Sequence, residues 1–126
     1  MAWRYNKGMD LRPYAETVRR QTADLKRRRA EAQARARADL PRLAEVIRAD
    51  PAVRTAYLFG SLAKGTFHPA SDIDIAVEGP DFREQLRLQE RLQRHTAFRV
   101  DVRELDGTPE FRELVEFYGE LLHAPP

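Results

Sequence analysis

The chain has 126 residues, 42% of them hydrophobic and 33% charged, which suits one compact domain with a genuine core and a largely ionic surface. It has no cysteine, so a disulfide framework and a thiolate metal site are both excluded. No run approaches the roughly 20 apolar residues of a membrane span, and the first residues lack the apolar segment of a secretory signal, so we expect a cytoplasmic protein without membrane contact.

The first half of the chain predicts a long helix that begins near Asp10, a residue suited to cap it. Apolar residues then recur in steps of three, four or seven, at Leu11, Tyr14, Val18, Leu25, Ala32, Ala36, Leu40, Leu43 and Ile47. Few of those in the middle are large, so we expect residues 10–38 to lie outside the core. Pro41 is expected to break the helix, with Asp39 capping a second helix that ends near Ala49.

We therefore divide the chain into an N-terminal basic helical arm, residues 1–40, and a compact domain, residues 41–126. Residues 1–50 carry 13 Lys and Arg against 7 Asp and Glu, or +6, whereas residues 51–126 carry 9 against 13, or −4. The arm is open to three interpretations: a solvated helix, a helix that makes a homo-oligomer or binds a partner, or a nucleic-acid surface. Direct nucleic-acid binding is disfavoured because no aromatic residues interleave the charges.

The second half alternates strands and helices, which predicts an α/β (α+β) fold with a small mixed sheet of three or more strands flanked by helices. The predicted elements are a strand from Val53 to Phe59, a loop over 60–70, a strand from Asp72 to Val77, a helix from the cap Asp81 to Arg94, a strand from Phe98 to Leu105 and a helix from Glu110 to Leu122. The residues expected to face the core on the two helices are Phe82, Leu86 and Leu92, then Phe111, Leu114, Val115, Tyr118 and Leu121.

One motif organises this half: Leu58-Phe59-Gly60-Ser61-Leu62-Ala63-Lys64-Gly65, followed ten residues after its serine by Ser71-Asp72-Ile73-Asp74-Ile75-Ala76-Val77. On a strand, Asp72 and Asp74 point to the same face, where two carboxylates repel each other unless a cation lies between them. Mg²⁺ suits a site of few carboxylates plus substrate phosphates. Gly60 allows close approach of the backbone, and the Ser61 hydroxyl can hold phosphate oxygens. A role of Asp72 as a strand-start cap would leave Asp74 uncompensated.

These motifs resemble the signature of the nucleotidyltransferase superfamily related to DNA polymerase beta, over residues 53 to 105. The short chain is similar to the minimal nucleotidyltransferases (MNT), which often act as antitoxins paired with a HEPN-domain toxin. The resemblance implies a third carboxylate on a later strand, which Asp101 matches. It also implies that Asp72, Asp74 and Asp101 hold two Mg²⁺ ions, that Gly60 and Ser61 hold phosphates of ATP, and that Lys64 neutralises phosphate charge.

The resemblance leaves alternatives open. Asp101 could pair with Arg99 or Arg103 on a solvent-facing strand instead of binding metal. The implied activity is transfer of AMP from ATP to a tyrosine of a HEPN toxin, because the chain has no second domain for a small acceptor. A small-molecule nucleotidyltransferase with an acceptor site at a homodimer seam, and a non-catalytic antitoxin that acts by contact, are the competing hypotheses. The basic arm departs from the shortest members of the family.

Overall fold

The computed structural model describes residues 4–5 and 8–126 of the chain. The elements, in chain order, are β1 Arg4–Tyr5, β2 Met9–Asp10, α1 Arg12–Ala49, β3 Thr55–Phe59, α2 Ser61–Lys64, β4 Ile73–Glu78, α3 Phe82–Gln93, β5 Val100–Glu104, α4 Pro109–Tyr118 and β6 Glu120–His123. Strands β1 and β2 pair as a small antiparallel hairpin. The other four strands form the sheet on which the rest of the fold is built.

The main sheet has the strand order β5-β4-β3-β6 and is mixed. Strand β3 pairs antiparallel with both β4 and β6, whereas β4 and β5 run parallel. A parallel pair needs a crossover connection, and α3 supplies it between β4 and β5. The predicted α/β fold with a small mixed sheet and a long N-terminal helix is therefore confirmed.

The two faces of the sheet have different coverings. On one face, α1 and α3 bury the main core, which includes Leu43, Ile47, Leu58, Ile75 and Leu88. On the other face, a smaller cluster forms where α4 places Val115 against Ala76 and Leu105, with Tyr57, Phe59 and Phe111 packed around it. Because side-chain direction alternates along a strand, this second face is also the one that carries Asp74. It is only partly covered, which leaves room for a site.

Helix α1 is continuous through Pro41, so the predicted break and the second helix capped by Asp39 are wrong. A proline inside a helix costs about 3 kcal/mol through its missing hydrogen bond and steric clash. The flanking Leu40 and Leu43 are both buried in the core, and burial of each such side chain contributes roughly 1.5–3 kcal/mol. The tertiary contacts therefore outweigh the local preference.

The inner end of the expected arm also packs on the core. Ala32 and Ala36 are buried in the main cluster, so the expectation that residues 10–38 lie outside the core is wrong from Ala32 onward. Small side chains at these positions let the helix approach the sheet closely. The outer turns expose large apolar side chains at Tyr14, Val18 and Leu25. No helix in the described part of the chain has both the length and the apolar composition needed to cross a membrane.

Both later helices face the sheet differently from the prediction. Asp81 caps α3 with a full capping box, as expected. However, the buried residues of α3 are Gln85, Leu88 and Leu92, whereas Phe82 and Leu86 are exposed. Gln85 can be buried because its amide donates to the carbonyl of Pro80 at 3.1 Å.

The last predicted helix ends early, at Tyr118, and the chain continues as strand β6. Of the residues predicted to face the core there, Val115 is buried and Phe111 partly buried, while Leu114, Tyr118 and Leu121 are exposed. The short helix α2 also lies within the segment predicted as loop.

Candidate active site

The turn after β3 is built around Gly60. This residue has φ 75°, a backbone conformation that favours glycine. It follows Phe59, whose register partner across the antiparallel ladder is Asp74. A Cβ added at Gly60 would overlap the Oδ2 atom of Asp74 and lie 3.1 Å from its Cγ. The missing side chain at Gly60 is therefore what allows this carboxylate to lie against the turn.

The sheet register places a second carboxylate beside the first. Asp74 on β4 and Asp101 on β5 are direct partners in the parallel ladder. Residues in register on adjacent strands point to the same face of a sheet, so both side chains lie on the partly covered face. Asp72 precedes Asp74 by two residues, just before the start of β4. The three acidic residues named from the sequence are thus brought to one region.

The electrostatics of Asp74 reflect this crowding. Its pKa is raised from 3.8 to about 6, first because the carboxyl group is partly buried and then because Asp101 and Asp72 repel its negative charge. The nearby guanidinium of Arg103 acts in the opposite direction. A carboxylate that is desolvated and repelled by two others is a favourable place for a cation.

Asp101 already has a positively charged neighbour. Nε of Arg103 donates a hydrogen bond to Oδ2 of Asp101 at 2.9 Å, and this bond raises the pKa of Arg103. This is one of the two pairings left open from the sequence. In the described ranges, 4–5 and 8–126, no three side chains of His, Cys, Asp or Glu are grouped closely enough to hold a metal ion.

The residues predicted to bind phosphate lie on the turn and on α2. Ser61 is the first residue of α2 and is partly buried, whereas Lys64 is the last and is exposed. The backbone N–H of Lys64 donates to the carbonyl of Gly60 at 3.1 Å, which closes the turn. Gly60 thus lies against Asp74, with Ser61 next to it in the chain and Lys64 one helical turn further on. His68 lies in an exposed loop, where its Nδ1 accepts a hydrogen bond from the backbone of Ala70.

A cleft adjoins this turn on the carboxylate face of the sheet. It has a volume of about 540 Å³ and is lined by Phe59, Gly60, Lys64, Phe111, Leu114, Val115 and Tyr118. We call it the α4 cleft. Sequence reasoning placed its α4 residues in the core and so missed it. The available signal was the excess of apolar residues on α4, more than one buried stripe requires.

Comparison with known families gives one match over most of the chain. A family model described as "Polymerase beta, Nucleotidyltransferase" matches residues 42–124. Comparison with curated proteins gives no significant match.

Solved structures show the same likeness. A toxin–antitoxin structure with AMP-PNP has a TM-score of 0.59 and 28% identity, over 68% of this chain and 73% of the matched chain. An MntA-HpeT toxin–antitoxin variant with two Asp→Glu substitutions has a TM-score of 0.59 and 26% identity, over the same shares. A tri-AMPylated Shewanella oneidensis HEPN toxin in complex with its MNT antitoxin has a TM-score of 0.54 over 71% of this chain and 72% of the matched chain. At 23% identity, that likeness shows the fold alone.

Proposed function

The chain belongs to the polymerase beta nucleotidyltransferase family, and from that premise we propose that it transfers AMP from ATP to a hydroxyl group of a partner protein. The observation that carries the proposal is the register of the sheet: Asp74 is the direct partner of Asp101 and lies against the Gly60 turn. Carboxylates and a phosphate-binding turn on one sheet face are what nucleotidyl transfer requires.

Divalent metal is the cofactor that this donor set suits. Mg²⁺ prefers oxygen ligands and accepts one or two carboxylates together with substrate phosphates. The raised pKa of Asp74, about 6, reflects a partly buried carboxylate that lacks a sufficient counter-charge. We propose that Asp72 and Asp74 hold two Mg²⁺ ions and that Asp101 joins them after leaving Arg103. Bound there, the metal would supply charge stabilisation for the phosphate oxygens.

The reaction that we propose is a displacement at phosphorus. The oxygen of the acceptor hydroxyl forms a bond to the α-phosphorus of ATP, the bond from that phosphorus to the bridging oxygen of the β-phosphate breaks, and pyrophosphate leaves. The proton of the hydroxyl passes to the carboxylate of Asp101, a general base in this scheme. Gly60 and Ser61 hold the β- and γ-phosphates through backbone N–H and hydroxyl donors. Lys64 neutralises their charge.

The partner that we propose is a HEPN-domain toxin, which makes this chain its antitoxin. Two supports come from complexes at 26–28% identity: one contains AMP-PNP, and the other carries Asp→Glu substitutions two positions apart, the spacing of Asp72 and Asp74. The fold-level neighbour holds a tri-AMPylated HEPN toxin. A HEPN protein encoded beside this chain is therefore the first acceptor to test, with a tyrosine hydroxyl as the expected attachment point.

Labelling with α-³²P-ATP and Mg²⁺ in the presence of that HEPN protein tests the activity. We expect label on the partner from the wild type and a loss of at least about a hundredfold in rate for the double substitution Asp72→Asn and Asp74→Asn. Glu90→Gln, an exposed change on α3, is the matched control and should keep full activity. If the double variant labels the partner as fast as the wild type, the proposed site is wrong.

A second candidate function is neutralisation by contact without catalysis. The hydrogen bond between Arg103 and Asp101 favours this second candidate, because the bond occupies the third carboxylate, which the catalytic proposal needs for metal. The two candidates separate in cells: the Asp72→Asn, Asp74→Asn variant should still protect against the toxin if contact suffices, and should fail if AMP transfer is needed. A homodimer that adenylylates a small molecule would instead put the label into small products of an extract.

A further inference from the structure

We propose that the α4 cleft binds the nucleoside of the substrate triphosphate, with its base held by aromatic packing against Tyr118 and Phe111. This inference rests on the proposed function and adds to it the location and the selectivity of the base site. The cleft lies on the same face of the sheet as Asp74 and between α4 and the Gly60 turn.

The cleft is continuous with the proposed phosphate site. Gly60 and Lys64 line the cleft and also belong to the turn that we propose for the phosphates. A nucleotide with its phosphates at Gly60 therefore has this cleft within reach of its ribose and base. Its volume of about 540 Å³ lies within the usual range for small-molecule sites.

The walls of the cleft have the chemistry of a base platform. Phe111 packs edge-to-face on Phe59 with ring centroids 5.3 Å apart, which fixes one aromatic wall. Tyr118, at the end of α4, is 60% exposed. Its ring packs against that of Phe117, with ring centroids 4.8 Å apart. Leu114 is 58% exposed between them on the same helix. A flat base can cover these apolar surfaces and stack on an aromatic ring.

The polar groups of the cleft predict a specific kind of selectivity. Of the residues that line it, Lys64 and Tyr118 are the two with polar side chains. Their ammonium and hydroxyl groups do not reproduce the pattern of hydrogen-bond donors and acceptors on the edge of any one base. A cleft that holds a base mainly through apolar contact area favours purines over pyrimidines, because purines stack over a larger surface. Adenine and guanine should be distinguished only weakly, since a site without matched hydrogen bonds discriminates poorly.

Calorimetry on the full chain with Mg²⁺ tests the inference, with AMP-PNP and inorganic tripolyphosphate as the probes. We expect Tyr118→Ala to weaken AMP-PNP binding by about tenfold, the usual effect of losing one stacking ring, and to leave tripolyphosphate binding within about twofold. Tyr118→Phe keeps the ring and should bind AMP-PNP like the wild type. Phe82→Ala removes another exposed aromatic ring, on α3 at the opposite side of the sheet, and should change neither affinity.

The outcomes separate this inference from the proposed function. Unchanged AMP-PNP affinity in Tyr118→Ala, or an equal loss for both probes, overturns the nucleoside site and leaves the activity proposal standing. Competition with CTP and GTP gives an independent measure: the wild type should prefer GTP to CTP, and Tyr118→Ala should lose that preference. A wild-type chain that binds neither AMP-PNP nor tripolyphosphate overturns both proposals.

Discussion

The backbone of Gly60 lies so close to the carboxylate of Asp74 that the space between them does not admit a methyl group. A Cβ at Gly60 would overlap Oδ2 of Asp74 and stand 3.1 Å from Cγ. The same glycine has a positive φ of 75°. Two separate constraints, one of conformation and one of space, therefore act at a single position of the candidate site.

Gly60→Ala should abolish AMP transfer and destabilise the fold by about 1–3 kcal/mol, the usual cost of strained backbone in a well-packed site. Gly65→Ala is the matched control, because Gly65 also has a positive φ, 80°, but a Cβ there meets nothing within 4 Å. Urea unfolding and the labelling rate should be measured on both variants. Equal effects in the two variants would mean that conformation alone matters and that the contact with Asp74 does not.

Asp74→Asn should stabilise the metal-free chain at pH 8. The folded-state pKa of Asp74 is about 6, above its ordinary 3.8, because of partial burial and repulsion by Asp101 and Asp72. Between these values the folded chain binds more protons than the unfolded chain, so its stability falls as the pH rises through this window. Since the group is only half buried, solvent screening reduces the expected gain to about 1 kcal/mol.

Urea unfolding in EDTA at pH 4 and pH 8 measures this difference. The stabilising effect of Asp74→Asn should be present at pH 8 and nearly absent at pH 4, where the native carboxyl group is protonated. Added Mg²⁺ should reverse the order at pH 8 by stabilising the wild type alone. A variant that is less stable than the wild type at pH 8 in EDTA would contradict the proposed charge crowding.

The strand that carries Asp74 was more predictable from sequence than the packing around the candidate site. The alternation of Asp and Ile over Asp72-Ile73-Asp74-Ile75 predicts that the isoleucines and Asp74 face opposite sides of a sheet, and β4 does bury Ile73 and Ile75 in the main core and carry Asp74 on the other face. The break predicted at Pro41 does not occur because burial of the leucines on both sides of it outweighs the local preference of proline. Leu114 and Tyr118 were predicted to lie in the core because apolar residues that line an open cleft have the same spacing as core residues.

Arg103→Gln should strengthen the binding of Mn²⁺, used as a spectroscopic substitute for Mg²⁺, by roughly threefold to tenfold. Arg103 donates to Asp101 at 2.9 Å and competes with a cation for that carboxylate. The pair is partly exposed, so the effect is moderate. Arg99→Gln, an exposed change just before the same strand, is the control and should have little effect. Mn²⁺ binding can be measured by electron paramagnetic resonance. Weaker binding in Arg103→Gln than in the wild type would show that the arginine does not oppose metal at Asp101.

Glu120→Gln should lower the free energy of unfolding by weakening the attachment of β6, the edge strand of the main sheet. Arg37 of α1 makes a bidentate contact with Glu120 of β6: Nη2 lies 2.5 Å from Oε1, and Nη1 lies 2.7 Å from Oε2. The same guanidinium also donates to the carbonyl of Leu62 in α2 at 3.0 Å. This single guanidinium joins the long helix, the edge strand and the helix next to Gly60. Because both partners are partly exposed, we expect a loss of only about 1 kcal/mol at neutral pH.

The pH dependence identifies the cause of that loss. The hydrogen bonds from Arg37 hold the pKa of Glu120 below its ordinary value. The stability that they contribute is therefore present above the unfolded-state pKa and is lost as the pH falls through the lower folded-state pKa. The difference between wild type and Glu120→Gln in the free energy of unfolding by urea should thus shrink on acidification. A difference that is constant from neutral to acid pH would assign the effect to packing rather than to charge.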